Sequence, residues 1–137
     1  MSAVDFIVEF NHTTFLIEIK DINRQAISKK RQNKFIQKMT DKRLRREIAK
    51  KYSDTMLYKL AEQTISLQTN TQYLVLLEAS STQIPSPLRV NFMKELKDRL
   101  PFLKPDDWQH ALLDDFQLHD LKSWNKYFPH FPVTRLS

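Results

Sequence analysis

Glycine is absent from all 137 residues of the chain, although average usage of about 7% would give roughly ten. The P-loop that cradles nucleotide phosphates, the GxGxxG turn of dinucleotide-binding proteins and the GxSxG elbow of α/β-hydrolases all need glycine, because only glycine reaches their backbone conformations at low cost. The sequence therefore disfavours nucleotide kinases, Rossmann enzymes and α/β-hydrolases. Its turns are expected to use Asn, Asp, Ser and Pro instead.

Cysteine is absent as well. This excludes disulfides, thiolate zinc sites and cysteine nucleophiles, and it fits a cytoplasmic location best. The four histidines, at positions 12, 110, 119 and 130, show neither HxxxH nor HExxH spacing. A zinc site is therefore not expected.

Long hydrophobic runs are also missing, since the longest, residues 73–77, is too short to cross a bilayer. The first residues lack the basic start and apolar core of a signal peptide. With 41% hydrophobic and 28% charged residues, the composition is typical of a globular protein with one hydrophobic core. We therefore expect a soluble single domain with no membrane partner.

Two strand patterns stand at the beginning of the chain. Residues 4–10 alternate apolar and polar side chains, which indicates a strand. Residues 13–21 are rich in Thr, Phe and Ile, which suit a second strand. Asn11 and His12 form the polar break between them, so the sequence predicts a β-hairpin.

This hairpin is expected to bring two carboxylates together. Counting outward from a two-residue turn pairs Phe10 with Thr13 and puts Asp5 opposite Glu18, with Lys20 on the same face as Glu18. A four-residue loop gives the same pairing, whereas a three-residue loop sends the acids to opposite faces unless a bulge restores them. Opposed carboxylates need a cation or a proton, and Mg²⁺ prefers such oxygen ligands. The alternative is a surface hairpin with solvated acids and an ordinary ion pair to Lys20.

Asp5 on one strand and Glu18-Ile19-Lys20 on the next resemble the motif of the PD-(D/E)xK nuclease-like superfamily. The similarity covers residues 4–21, and reaches residue 78 if the following helix and strand are included. The resemblance implies a restriction-endonuclease-like fold in which Asp5, Glu18 and Lys20 are catalytic. Asp5 and Glu18 would bind Mg²⁺ or Mn²⁺, and Lys20 would assist the nucleophile or the transition state.

The chain also departs from that superfamily. No Pro precedes Asp5, and the helix and strand that normally open the core are missing, together with an acid that the first helix often supplies. A partner subunit, a rearranged core that uses the C-terminal segments, or lost catalysis would each account for this difference.

Positive charge is concentrated in residues 24–51, which hold twelve of the 22 Lys and Arg side chains but only two acids. That segment carries a net charge of +10 and the remainder −4. Such a block is a footprint for polyanions, with DNA or RNA as the leading candidates; the alternatives are a solvated helical face, an acidic partner protein and an anionic membrane surface. The pattern predicts helix, broken near Thr40-Asp41 with Asp41 as a cap. The predicted nucleic-acid-binding residues are Lys29, Lys30, Arg31, Lys34, Lys38, Lys42, Arg43, Arg45, Arg46, Lys50 and Lys51.

Shorter patterns fill the rest of the chain. Trp124 and Tyr127 are expected to pack in the core or at a subunit interface rather than to stack on bases. The predicted elements are a helix over residues 53–68 capped by Ser53-Asp54, a buried parallel strand over 73–78, a helix over 88–100, and short helices from about 105 to 113 and over 121–127.

The sequence as a whole predicts one α/β or α+β domain over residues 1–137, in which a small mixed sheet with an N-terminal hairpin is flanked by several helices. Its segments are the hairpin with the candidate active site (1–21), the basic helices (22–52), a helix-strand-helix core (53–100) and a helical, aromatic C-terminal part (101–137). The predicted function is metal-dependent endonuclease activity on phosphodiester bonds in DNA, in a homodimer or a larger nuclease or recombination complex. The alternatives are a non-catalytic nucleic-acid-binding or assembly subunit with a degenerate nuclease fold, and a protein-interaction module that uses the basic helices.

Overall fold

The computed structural model describes residues 3–22, 28–63, 70–78, 86–101 and 113–134. Within these ranges the chain forms a four-stranded mixed sheet and four helices, so the predicted α/β architecture with an N-terminal hairpin is confirmed. The strands are β1 (Phe6–Phe10), β2 (Thr13–Asp21), β3 (Asn70–Glu78) and β4 (Asp115–His119), and the helices are α1 (Lys29–Thr40), α2 (Arg43–Ala61), α3 (Ser86–Asp98) and α4 (Leu121–Tyr127).

The sheet has the strand order β1-β2-β3-β4. β1 and β2 are antiparallel, whereas β2, β3 and β4 run parallel to one another. The chain passes through helices between consecutive parallel strands, as such connections require. The predicted parallel strand after the basic helices is confirmed as β3, but β4 has no counterpart among the sequence predictions, which assigned only helices to the C-terminal part.

Helices pack on both faces of the sheet. The larger core lies under α1, α2 and α3, where Leu16 and Tyr73 meet Ile48 and Phe92. The Tyr73 hydroxyl donates a 2.9 Å hydrogen bond to the carbonyl of Ile48. A smaller cluster on the opposite face is built around Trp124 of α4. Both faces of the central strands are therefore buried, and β1 is left at one edge.

The break between the two basic helices falls where it was predicted. The Asp41 N–H donates to the Gln37 carbonyl at the end of α1, and Asp41 Oδ1 accepts a 3.2 Å hydrogen bond from the Arg43 N–H at the start of α2. Between them Lys42 takes a left-handed conformation with φ 74°. One polar residue thus serves both helix ends.

The prediction that Ser53 and Asp54 begin a new helix is wrong, because both lie inside α2. Tyr52, Thr55 and Met56 are buried and continue the apolar face of that helix, so packing favours an unbroken helix over a second start. The predicted helices over 88–100 and 121–127 are confirmed as α3 and α4, within two residues at each end. Residues 64–68 and 105–112 of the other predicted helices lie outside the described ranges.

None of the helices in the described ranges combines the length and the apolar character needed to cross a bilayer.

Candidate functional site

The turn of the hairpin fixes the position of the first acidic side chain. Asn11 and His12 have φ angles of 50° and 61°, the left-handed region that both central residues of a type I′ turn occupy. Phe10 pairs with Thr13, and the ladder continues without a bulge along β1. The predicted register is confirmed.

Asp5 lies one residue before β1, where continuing this register puts it opposite Glu18. Asp5 Oδ2 accepts a 2.8 Å hydrogen bond from the backbone N–H of Ile19, and its carboxyl group interacts with that of Glu18. Partial burial acts to raise the pKa of Asp5, but the interaction with Glu18, the hydrogen bond from Ile19 and the nearby Lys51 and Lys20 outweigh it and hold that pKa below its ordinary value. Asp5 is therefore the more acidic member of the pair.

Glu18 is fully buried, with 0% of its surface exposed. The alternation of β2 places it beside Leu16 on the face covered by α1 to α3. Burial raises the pKa of Glu18 and the interaction with Asp5 raises it further, although contact with Lys51 opposes both. Burial and a neighbouring carboxylate both favour the protonated form of an acid. The two groups are coupled, and the directions of their pKa shifts make Glu18 rather than Asp5 the first to take up a proton as the pH falls.

Two lysines complete the cluster. Lys20 Nζ lies 3.8 Å from Glu18 Oε2, on the predicted face. Lys51 of α2 forms a closer ion pair with the same oxygen. Burial acts to lower the pKa of Lys51, but its interactions with Glu18 and then Asp5 raise that pKa above its ordinary value. Both lysine side chains are about a quarter exposed, so the buried Glu18 is linked to the surface through charged groups.

The buried oxygens of Glu18 remain poorly satisfied. Despite the ion pair with Lys51, neither oxygen accepts a well-aligned hydrogen bond from the described residues. An unsatisfied buried acceptor is costly, so this position favours a proton or a cation in direct contact. In the described ranges no cluster of three or more acidic or histidine side chains could hold a metal ion. A divalent ion here would have Asp5 and Glu18 as its two protein carboxylates and would fill its other positions with water or ligand oxygens, a common arrangement for Mg²⁺.

Lys51 is the member of this cluster that sequence reasoning placed elsewhere, on the surface predicted to bind nucleic acid. A signal for its position does exist in the helical period. Lys51 follows Ile48 by three residues and Leu44 by seven, and both are buried, so Lys51 falls on the inward side of α2. The sequence could indicate that Lys51 faces the sheet, but it could not indicate that Glu18 is its partner.

The other basic side chains that were predicted to bind nucleic acid fall into three groups. Lys38, Arg43 and Lys50 form ion pairs with Glu47, Asp41 and Asp54, respectively. Arg45 is buried. The third group is exposed and forms no ion pair within the described part of the chain; it consists of Lys29, Lys30, Arg31, Lys34, Lys42 and Arg46.

The prediction that Arg45 belongs to the exposed polar face of its helix is wrong. Only 4% of Arg45 is exposed, because α3 packs against α2 at this position. Its Nη1 lies 2.7 Å from Glu95 Oε2 of α3, while Nε and Nη2 are buried without a hydrogen-bond partner among the described residues. Arg45 therefore joins two helices, and a surface for a polyanion would have to be formed by its exposed neighbours.

Comparison of the chain with protein-family models, with curated proteins and with solved structures finds no match.

Proposed function

We propose that this protein is a metal-dependent endonuclease that hydrolyses phosphodiester bonds in DNA. The observation that carries the proposal is the contact between the Asp5 and Glu18 carboxyl groups on neighbouring strands, with Lys20 beside them. Two carboxylates and an amine at one point of a sheet are the groups that metal-assisted hydrolysis of a phosphodiester needs.

The residues present fit a divalent ion. Asp5 and Glu18 are hard oxygen donors, and the oxygens of Glu18 lack well-aligned donors from the described residues. Mg²⁺ or Mn²⁺ suits such a pair, since these ions commonly keep waters and bind substrate phosphate oxygens. When bound, the ion would orient and acidify a water and offset charge on the phosphate under attack.

The protein's own groups would have distinct roles in this reaction. Asp5 is held by the N–H of Ile19 and ionised, so it presents a fixed carboxylate. Glu18 would supply the second carboxylate to the ion. The ammonium group of Lys20, about a quarter exposed, would stabilise the negative charge that develops on a phosphate oxygen.

The exposed basic residues of α1 and α2 support DNA as the substrate. Lys34, Lys42 and Arg46 belong to the group without ion pairs in the described ranges, and α2 also carries Lys51 to Glu18. The helix that contacts the carboxylate site would thus also contribute to the phosphate-binding surface. Binding through such contacts would depend steeply on salt and weakly on sequence. A cytoplasmic location is part of the proposal, since a chain without cysteine fits a reducing compartment.

One observation favours a second function, that of a non-catalytic nucleic-acid-binding or assembly subunit. Lys51 already contacts Glu18 and supplies the compensating cation from within the chain. In that case the cluster would tie α2 to the sheet, and the basic surface would still bind DNA. The two functions differ in whether phosphodiester cleavage follows binding.

A cleavage assay separates them. Purified protein is incubated with supercoiled plasmid in Mg²⁺, in Mn²⁺ and in EDTA, and nicked and linear products are measured. We expect cleavage only with metal, with losses of at least about a hundredfold for Asp5→Asn, Glu18→Gln and Lys20→Met. Glu9→Gln is the control, because Glu9 lies on exposed β1 away from the pair. DNA binding without metal-dependent cleavage would exclude the endonuclease and favour the second function.

A further inference from the structure

β1 is an edge strand with an unusual surface. Among the described strands it pairs only with β2, and all five of its residues are exposed, including Phe6 at 57%, Val8 at 43% and Phe10 at 47%. Proteins usually protect such edges with Lys, Pro or a bulge, whereas Glu9 is the single charged residue of β1. We propose that β1 pairs with β1 of a second copy, which joins the two sheets of a homodimer; this inference does not depend on the proposed function.

The type I′ turn determines which backbone groups are available for that pairing. In a two-residue hairpin the residues that flank the turn form a hydrogen-bonded pair, and pairs then alternate along the ladder. Phe10, Val8 and Phe6 therefore exchange hydrogen bonds with β2, while the N–H and C=O groups of Ile7 and Glu9 point away from it. The N–H of Ile19, on the β1 side of β2, bonds the Asp5 side chain, which agrees with this alternation.

Charge disfavours two of the registers open to the dimer. Antiparallel pairing of identical strands about a twofold axis puts one residue opposite itself. If the axis passes through Ile7, Asp5 lies opposite Glu9 of the partner subunit. If it passes through Glu9, the two copies of Glu9 lie opposite each other. Both registers therefore oppose like charges. Centring on Val8 sets Glu9 opposite Ile7 and allows both residues to exchange hydrogen bonds with the partner subunit.

Apolar contacts favour the same register. With Val8 on the axis, Phe6 lies opposite Phe10 of the partner subunit, and cross-strand aromatic pairs stabilise a sheet. This face also carries an open apolar groove of about 170 Å³, lined by Val8, Phe10, Trp124 and Phe131 among others. Phe10 and Phe131 meet edge to face with centroids 5.1 Å apart. The partner's ring would extend this apolar surface and cover part of the exposed edge.

The absence of cysteine makes a direct test possible, because a single introduced cysteine can form a disulfide only between two molecules. Val8→Cys lies at a non-hydrogen-bonded pair, where opposite Cα atoms are about 4.5 Å apart, within disulfide range. Glu9→Cys is the matched control on the same exposed strand, since it faces Ile7 of the partner subunit. With diamide as oxidant, we expect Val8→Cys to form dimers at least about tenfold faster than Glu9→Cys. Equal rates would overturn the register.

Sedimentation velocity between about 1 and 100 μM tests the dimer itself without covalent chemistry. We expect the wild-type chain to dimerise. Val8→Lys should raise the Kd of the dimer at least about tenfold, because two ammonium groups then meet at the axis. Ile7→Lys, the same change one residue away, places its ammonium opposite Glu9 of the partner subunit and should preserve the dimer. Circular dichroism confirms that each variant is folded. A monomeric wild-type chain, or loss with Ile7→Lys but not with Val8→Lys, would overturn the proposal.

Discussion

Replacement of Lys51 by methionine tests the buried ion pair at the centre of the site. Methionine keeps an unbranched apolar stem in place of the lysine stem but removes the ammonium group that contacts Glu18. The buried carboxyl group then has Lys20 at 3.8 Å as its remaining cation. We expect Lys51→Met to destabilise the protein at neutral and basic pH.

The magnitude follows from the burial of the two partners. Removing one member of a buried ion pair costs about 3–5 kcal/mol when the other charge is left uncompensated. Glu18 is fully buried, but the Lys51 side chain is 23% exposed, and Glu18 can take up a proton that its burial and the nearby Asp5 favour. The expected loss is therefore smaller, about 1–3 kcal/mol in the free energy of unfolding at pH 8.

The pH dependence has a defined sign. The pKa of Glu18 is raised in the folded protein, so the folded state binds this proton more tightly than the unfolded state, and ionisation of Glu18 reduces stability as pH rises. Loss of Lys51 raises the folded pKa further. The destabilisation should therefore be largest at pH 8 and should shrink toward pH 4, close to the ordinary pKa of a glutamate, because the raised pKa of folded Glu18 favours its protonated form there.

Urea unfolding followed by tryptophan fluorescence at pH 8 and pH 4 provides the measurement. Lys50→Met is the matched control, because the neighbouring Lys50 side chain is 63% exposed and pairs with Asp54 one helical turn away. Such a surface pair contributes about 0.3–0.5 kcal/mol. Adding Glu18→Gln should abolish most of the effect of Lys51→Met, because the buried charge is then gone. An equal loss at both pH values, or a loss no larger than that of Lys50→Met, would refute the reasoning.

Two further predictions concern the core and the basic surface. Tyr73→Phe should cost about 1–2 kcal/mol in urea unfolding, because the fully buried hydroxyl donates to the carbonyl of Ile48; Tyr58→Phe, at 52% exposure, should change little, and equal effects would contradict this assignment. Lys34→Glu combined with Arg46→Glu should weaken DNA binding and reduce the slope of log K against log salt by about one per lost phosphate contact in fluorescence anisotropy. Lys97→Glu on α3 is the control, and a slope that the double variant leaves unchanged would exclude these residues from the DNA-binding surface.

The hairpin and the pairing of its two acids could be predicted because they depend on local information. Alternation along residues 4–10, a polar dipeptide at the turn and a period of two determine which residues are opposite each other once Phe10 pairs with Thr13. Asp5 and Glu18 are only thirteen positions apart in the chain, so no distant contact has to be known. The break at Asp41 was predictable for the same reason, since its side chain bonds the N–H of Arg43 two residues ahead.

The features that sequence reasoning missed depend on distant parts of the chain. β4 has only five residues and is a strand because it pairs with β3, which its own sequence does not encode. Arg45 looks like its exposed neighbour Arg46 in the sequence, but Glu95 of α3 meets it and α3 buries it. Local pattern gives the type of a side chain and its face on a helix, whereas burial is set by what packs there.

Lys51 connects the two possible functions of the site. Two carboxyl groups and two ammonium groups lie together, so the cluster has little net charge when all four are ionised. A divalent ion alone would leave an excess of positive charge there, whereas an ion that arrives with a phosphodiester would bring compensating negative charge. The composition of the cluster thus favours joint binding of cation and phosphate over binding of the cation alone. A purely structural site would need its lysines only to balance its own carboxylates, whereas in the proposed endonuclease Lys20 would also offset charge on the phosphate.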